Sequence, residues 1–413
     1  METGTSVSNN SGSSRNDSYE AIKNGSWFHQ FRNGCNPWMA RYVYGLIFLI
    51  ANLLAWAARD YGRRALRKVT IFKNCKGGEN CLGTEGVLRV SLGCFLFYFV
   101  MFLSTLGTSK THSSRDRWHS GWWFAKLILW PALTIIPFLL PSSIINFYGE
   151  IAHFGAGVFL LIQLISVISF IQWLNECYQS QKDTEKCRVY VMILSTTSYT
   201  VCIVGVIMMY VWYAPDSSCL LNIFFITWTL FLIQLMTSIA LHPKVNAGYL
   251  TPALMGLYVV FVCWCAIRSE PAGESCNRKA AASNRTDWLT IISFVVALLA
   301  MVIATFSTGI DSQCFQFKKT ENDQEGEGEG EEEDGVPYGY GFFHFVFATG
   351  AMYFAMLLIG WNTHHPMKKW TIDVGWTSTW VRVVNEWVAV GVYIWMLVSP
   401  LILKSRRQTT SGT

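Results

Sequence analysis

Ser142–Tyr178 reads SSIINFYGEIAHFGAGVFLLIQLISVISFIQWLNECY. The stretch carries no proline, and Glu150 and Glu176 are its only acidic residues. Pro141 lies immediately before it, so a helix can start at Ser142 and run to Tyr178. That gives up to about 36 helical residues, or roughly 54 Å at ~1.5 Å per residue. A bilayer hydrocarbon core is only about 30 Å thick. Such a helix has to tilt strongly or project beyond the membrane. It is expected to be continuous through Gly155-Ala156-Gly157.

Working outward, nine more apolar stretches have spanning length. The ten are Tyr42 to Ala58, Gly86 to Leu106, Trp122 to Ile145, Gly149 to Leu174, Tyr190 to Tyr213, Leu220 to Leu241, Tyr249 to Ile267, Trp288 to Phe306, Phe342 to Trp361 and Trp380 to Leu403. Lipid cannot hydrogen-bond the backbone, so each is expected to be a helix. The fold class is all-α, a polytopic membrane protein of about ten helices. The third span carries Pro131, Pro137 and Pro141, each of which can kink it. Composition agrees, with hydrophobic residues at 52% and charged residues at 14%. Trp122, Trp123, Trp288, Trp361, Trp376, Trp380 and Trp387 fall at or near span ends, where an amphipathic ring meets the headgroups. No basic stripe points to nucleic acid.

Residues 1–38 read as a polar tail without a cleavable signal peptide, 39–403 as the membrane domain and 404–413 as a second tail. Within 311–340, the run Glu325 to Asp334 is low complexity, and the segment is expected to be a disordered cytosolic loop. An even span count puts both termini on one face, read as cytosolic. Asn284-Arg285-Thr286 is then a lumenal glycosylation acceptor. Cys75, Cys81, Cys219 and Cys276 fall together on that lumenal face and are disulfide candidates, with free thiols the alternative. The membrane is an endomembrane or the plasma membrane.

Intramembrane polar groups are costly and therefore candidates for function. Arg89, Lys126, Gln163, His344 and Glu386 are the candidate headgroup ligands, with Asn175 and Glu176 at the cytosolic end of the long helix. A cation near an interface can receive a lipid phosphate. A carboxylate such as Glu386 can meet an ammonium. The competing readings stay open: Arg89 and Lys126 can snorkel, His153 and His344 can be packing histidines, and Gln163 and Gln234 can bridge helices. Glu386 needs a partner, such as Arg382 one turn earlier, or a wet cavity. No metal-ligand pair, P-loop or nucleophile elbow is present, so no metal, cofactor or catalytic residue is assigned.

Several segments together resemble the serine incorporator (SERINC, or TMS) family. They are Gly107-Thr108-Ser109-Lys110 with His119-Ser120-Gly121-Trp122-Trp123-Phe124-Ala125-Lys126; Leu161-Ile162-Gln163-Leu164-Ile165; Trp173-Leu174-Asn175-Glu176; Asn222-Ile223-Phe224-Phe225-Ile226; and Ile239-Ala240-Leu241-His242-Pro243-Lys244. Ser269-Glu270-Pro271 before Cys276, Asp334-Gly335-Val336-Pro337-Tyr338-Gly339-Tyr340-Gly341-Phe342-Phe343-His344-Phe345, and Trp380-Val381-Arg382 leading to Ser399-Pro400-Leu401 complete the set. The resemblance implies two helical bundles around a long tilted helix. It also implies a role in serine incorporation into phosphatidylserine and sphingolipids, and ATP-independent movement of phospholipid between leaflets. The implied partners are membrane phospholipids, phosphatidylserine among them, serine itself and lipid-synthesising enzymes, with a second copy of the chain left open. The alternatives are a scaffold presenting serine to such enzymes, or a transporter of serine. The Glu-Gly run and the uncharged-to-acidic change at Glu386 depart from the animal pattern.

Overall fold

The computed structural model describes residues 37–62, 79–108, 110, 113–179, 184–271, 276, 288–310, 336–362 and 371–410. The expectations for Cys75, Asn284, the Glu325–Asp334 run and the N-terminal tail lie outside the described residues. Of Cys81 only the helical backbone is described.

The helices are α1 (Pro37–Asp60), α2 (Glu79–Thr105), α3 (Ser114–Ser120), α4 (Trp123–Leu139), α5 (Ser142–Gln179), α6 (Thr184–Tyr213), α7 (Leu220–Ala240), α8 (Leu250–Arg268), α9 (Trp288–Ile310), α10 (Tyr340–Ile359) and α11 (Trp376–Thr410). Among the described residues eight are long and apolar enough to cross a membrane, and the bent pair α3–α4 makes a ninth. Helix α9, 23 residues without a charge, occupies the remaining expected span. The chain is thus an all-helical, multi-pass membrane protein. Helix α11 runs past Leu403, where its span was expected to end, to Thr410.

The third span is broken near its start as well as at the last of its prolines. Near the start the break is a 68° bend between α3 and α4, at Gly121–Trp122, where Trp122 takes a left-handed φ of 55°. Pro131 and Pro137 lie inside α4. Pro141 has the sharper effect: without an N–H it leaves the Pro137 carbonyl unclaimed by an i+4 partner, and the helix stops. The next helix starts at Ser142, so the expected third span to Ile145 is too long at its end, and the fourth span starts earlier than Gly149.

Helix α5 is one helix of 38 residues, about 57 Å long. It is unbroken at Gly155-Ala156-Gly157. Those small residues serve packing instead. A Cβ on Gly155 would lie 1.9 Å from Met352 Sδ of α10, so glycine lets the two helices approach closely. The first half of α5 contributes Ile145, Tyr148, Ala152, Ala156, Phe159 and Ile162 to a core shared with α1, α2, α9 and α10. The second half contributes Leu164, Ile168 and Ile171 to a core with α7, α8 and α11. Helices α6, α7 and α8 share a further core with Val383 of α11. Two bundles therefore flank α5, which changes sides between Ile162 and Leu164.

Each bundle is built on one central helix. Helix α10 is apolar on every face and is buried nearly all round, as such a helix must be. Helix α8 plays that part in the second bundle. The peripheral helices turn Leu, Ile and Val outward, as on α6 with Val189, Ile193, Val201 and Ile203. In lipid those faces need no cover.

Candidate functional site

Where α5 leaves one bundle for the other, a crevice remains between them. Its lining comes from Leu160 and Gln163 of α5, Tyr258, Phe261 and Val262 of α8, Tyr353 and Leu357 of α10, Trp361, Asp373, and Val381, Arg382 and Asn385 of α11. Gln163 sits at the side-switching point, between Ile162 in one core and Leu164 in the other. Phe261, midway along α8, also lines the crevice and is 54% exposed.

The polar end of the crevice is set by how α10 finishes. Its last carbonyls lack intrahelical donors. Two elements supply them: Asp373 N donates to Leu357 O at 2.9 Å, and Arg59 Nη1 from α1 donates to Leu358 O at 2.7 Å and to Thr371 O at 2.8 Å. Gly375 N donates to Ser269 O at 2.7 Å, tying the start of α11 to the end of α8. Asp373 itself has φ 55°, a left-handed conformation that aspartate tolerates better than most residues. Held this way, its side chain is 4% exposed and faces Arg382. Arg382 Nε donates to Asp373 Oδ2 at 2.5 Å, and Nη2 reaches the same oxygen. Asp373 Oδ1 has no hydrogen-bond partner among the described residues. Asn385 Nδ2 reaches Tyr258 Oη at 3.5 Å beside the pair.

The residues nominated from the sequence do not converge on one place. Gln163 alone lines the crevice. Asn175 and Glu176 lie 12 and 13 residues further along α5, roughly 18–20 Å away; Asn175 is half-buried and Glu176 exposed. Arg89 and Lys126 do not snorkel, because both are fully buried. Arg89 Nη1 instead donates to Pro137 O at 2.5 Å and Leu140 O at 2.7 Å, the end of α4, and Nη2 pairs with Glu85 at 3.2 Å. It occupies the carbonyl that Pro141 leaves open. Lys126 donates to His119 O at 2.9 Å and Gly121 O at 2.5 Å, closing α3. Its ammonium lies 4.5 Å from the Trp123 ring.

Glu386 does not pair with Arg382. Its Oε1 accepts from Thr229 Oγ1 of α7 at 2.7 Å. Arg382, one turn earlier on the same helix, turns instead to Asp373, and the carboxylate in the crevice is Asp373. His344 joins a buried chain: its Nε2 is 3.0 Å from His119 Nδ1, and His119 Nε2 is 2.9 Å from Tyr338 Oη, which donates to Pro37 O at 3.0 Å. His119 stacks on Tyr340 at 3.9 Å, and Tyr340 Oη donates to Asp116. Burial pushes the Tyr338 phenol up, so it stays a neutral donor. This network staples the starts of α1 and α10 to α3. His153 also has a local role, its ring nitrogens lying 2.8 Å from Gly149 O and 3.2 Å from Trp361 O.

Asp373 was missed because it lies outside the apolar runs, in a short polar segment. Its signal was a carboxylate close before a span that holds an arginine. Of the cysteine candidates, Cys219 and Cys276 are joined in a disulfide.

A multi-pass helical protein, with two bundles flanking one overlong helix and a polar crevice beside it, is the class these observations define. The chain belongs to the serine incorporator family: the Serine incorporator (Serinc) model matches residues 24–330 and 311–406. It is 27% identical over 395 residues to a probable serine incorporator of Dictyostelium discoideum, covering 89% of this chain and 94% of that protein. It is 24% identical over 444 residues to serine incorporator 3 of Bos taurus, covering 91% and 93%. To serine incorporator 5 of Rattus norvegicus it is 26% identical over 384 residues, covering 81% and 84%.

Proposed function

We propose that this protein moves phospholipid between leaflets without ATP, and so supports serine incorporation into phosphatidylserine and sphingolipids. A headgroup cannot cross hydrocarbon unaided because its charges lose their water. A polar crevice lowers that barrier while the acyl tails remain in the bilayer. The observation that carries the reading is an inter-bundle crevice that holds Gln163, Asn385, Arg382 and Asp373 beside the exposed Phe261. Solute carriers place an enclosed midplane site at broken helices. Here the helix at the crevice, α5, is continuous, and the broken span α3–α4 contributes nothing to the lining. That contrast favours a lipid over free serine as the moving species.

The membrane is an endomembrane or the plasma membrane, with both termini cytosolic. The Cys219–Cys276 bond supports that orientation. It joins the loops before α7 and after α8, which face away from the cytosol when the termini are inside. Disulfides persist on that oxidising side. The polar end of the crevice, at Asp373, lies on the same side.

The test is reconstitution of the purified chain in liposomes containing a trace of labelled phospholipid. A membrane-impermeant quencher reads the outer leaflet. Quenching beyond the outer-leaflet half, without ATP and without leakage, is the expected result. Quenching that stops at one half overturns the reading.

A further inference from the structure

The Asp373–Arg382 pair is unusual for a buried ion pair because it is only half used. A buried pair is tolerated when further hydrogen bonds satisfy the lone pairs and protons it leaves over. Arg382 spends Nε and Nη2 on Asp373 Oδ2. A guanidinium has five N–H donors in a fixed fork. No other described group bonds Arg382, whose side chain is 22% exposed along the crevice. Asp373 Oδ1 is buried with no hydrogen-bond partner among the described residues, and Asp373 N is tied to Leu357 O. One unpartnered acceptor carrying negative charge thus sits beside one unused donor edge carrying positive charge, in the crevice between the bundles.

We infer that the Asp373–Arg382 pair is the receptor for a primary ammonium adjacent to an anion, Asp373 Oδ1 accepting from the ammonium and the free edge of Arg382 binding the phosphate or carboxylate. Charge-assisted bonds of this kind are short and strong, and Arg matches planar or tetrahedral oxyanions through two parallel N–H bonds. The inference rests on the lipid-moving reading for its first ligand class, phospholipids with ethanolamine or serine headgroups. Free serine carries the same two groups and is the second possible source. Choline has the positive charge but no N–H, so it cannot satisfy Oδ1. Asn385 and Gln163 are placed to bond the remaining headgroup oxygens, both lining the same crevice.

The experiment uses the full chain in liposomes with trace labelled ethanolamine, serine or choline lipid, with radiolabelled serine uptake measured on the same vesicles. The expected result is ethanolamine and serine lipids moving at least about threefold faster than choline lipid. Asp373→Asn, which keeps shape and removes the charge, is expected to erase that preference while choline lipid keeps its rate. Equal rates for the three lipids in the wild-type chain, together with no Asp373-dependent serine uptake, overturn the receptor while leaving lipid movement standing. No movement of any lipid instead overturns the proposed function. Headgroup-blind lipid movement with serine uptake lost in Asp373→Asn keeps the receptor and assigns it to the free amino acid. Should Asp373→Asn fail to fold, the wild-type headgroup preference and the composition of lipid retained through purification decide: ethanolamine and serine lipid enriched over choline lipid supports the receptor, and no enrichment overturns it.

Discussion

Replacing Arg89 by Met keeps most of the side-chain volume and removes the charge that closes the α4–α5 corner. Leu140 O then loses its side-chain donor, while Pro137 O keeps Leu140 N and Glu85 Oε2 keeps Ser142 Oγ but loses its cation. A hydrogen bond to a charged group contributes about 1.5–3 kcal/mol, and removing one partner of a buried ion pair costs about 3–5 kcal/mol. The terms overlap, because much of the second is the burial of the Glu85 charge without its cation. The expected loss is therefore about 3–5 kcal/mol in total. Arg89→Lys keeps the charge but not the fork that reaches two carbonyls, and should fall between. Adding Glu85→Gln to Arg89→Met should restore part of the loss, since no carboxylate is then stranded; the coupling is expected at about 1–3 kcal/mol. Denaturant titration of the purified protein in mixed micelles, followed by tryptophan fluorescence, measures all four variants. An Arg89→Met protein within about 0.5 kcal/mol of wild type, or strict additivity with Glu85→Gln, would refute the capping argument.

Further outcomes follow from the packing. Gly93→Ala places a Cβ 2.6 Å from Thr134 Cα and 2.8 Å from Leu133 O; backbone cannot yield cheaply, so a loss of about 1–3 kcal/mol is expected. Gly155→Ala meets the flexible Met352 side chain and should cost less; the reverse order of melting temperatures would contradict the crossings described. Glu386→Gln retains an acceptor for Thr229 and does not touch the crevice, so headgroup preference should match wild type in the vesicle assay; a selective change would place Glu386 in the lipid path. Tyr338→Phe removes the hydroxyl linking His119 to Pro37 O, with about 1–3 kcal/mol lost by thermal unfolding; an unchanged melting temperature would mean the network does not staple α1 to α10. Cys219 and Cys276 should resist alkylation until reduction, and mass spectrometry showing both freely labelled in the native protein would remove the support for the orientation.

A carboxylate meeting an ammonium was sought at Glu386, the deepest acidic residue of the last span. Glu386 bonds Thr229, and the carboxylate in the crevice is Asp373, 13 residues earlier. Gln163 was legible because it interrupts the apolar run of α5 where that helix changes neighbours. His344 was legible as a costly buried polar group, while its partner His119, 225 residues away in sequence, was not.

The sequence by itself determined the solvent, the helical class, the approximate spans and the continuous long helix. These depend on local facts: apolar length against bilayer thickness, the need of every backbone group for a partner in lipid, and the position of Pro141. Tertiary structure alone decided which polar groups meet. Helical spacing assigns a residue to a face, but not the helix that the face will touch. Arg89 meets the end of α4 because Gly93, one turn further along α2, lets the backbone of α4 approach closely. Arg382 meets Asp373 because the segment before α11 folds back onto the carbonyls that end α10. Both contacts depend on crossing geometry and loop path, which no periodicity in the chain encodes.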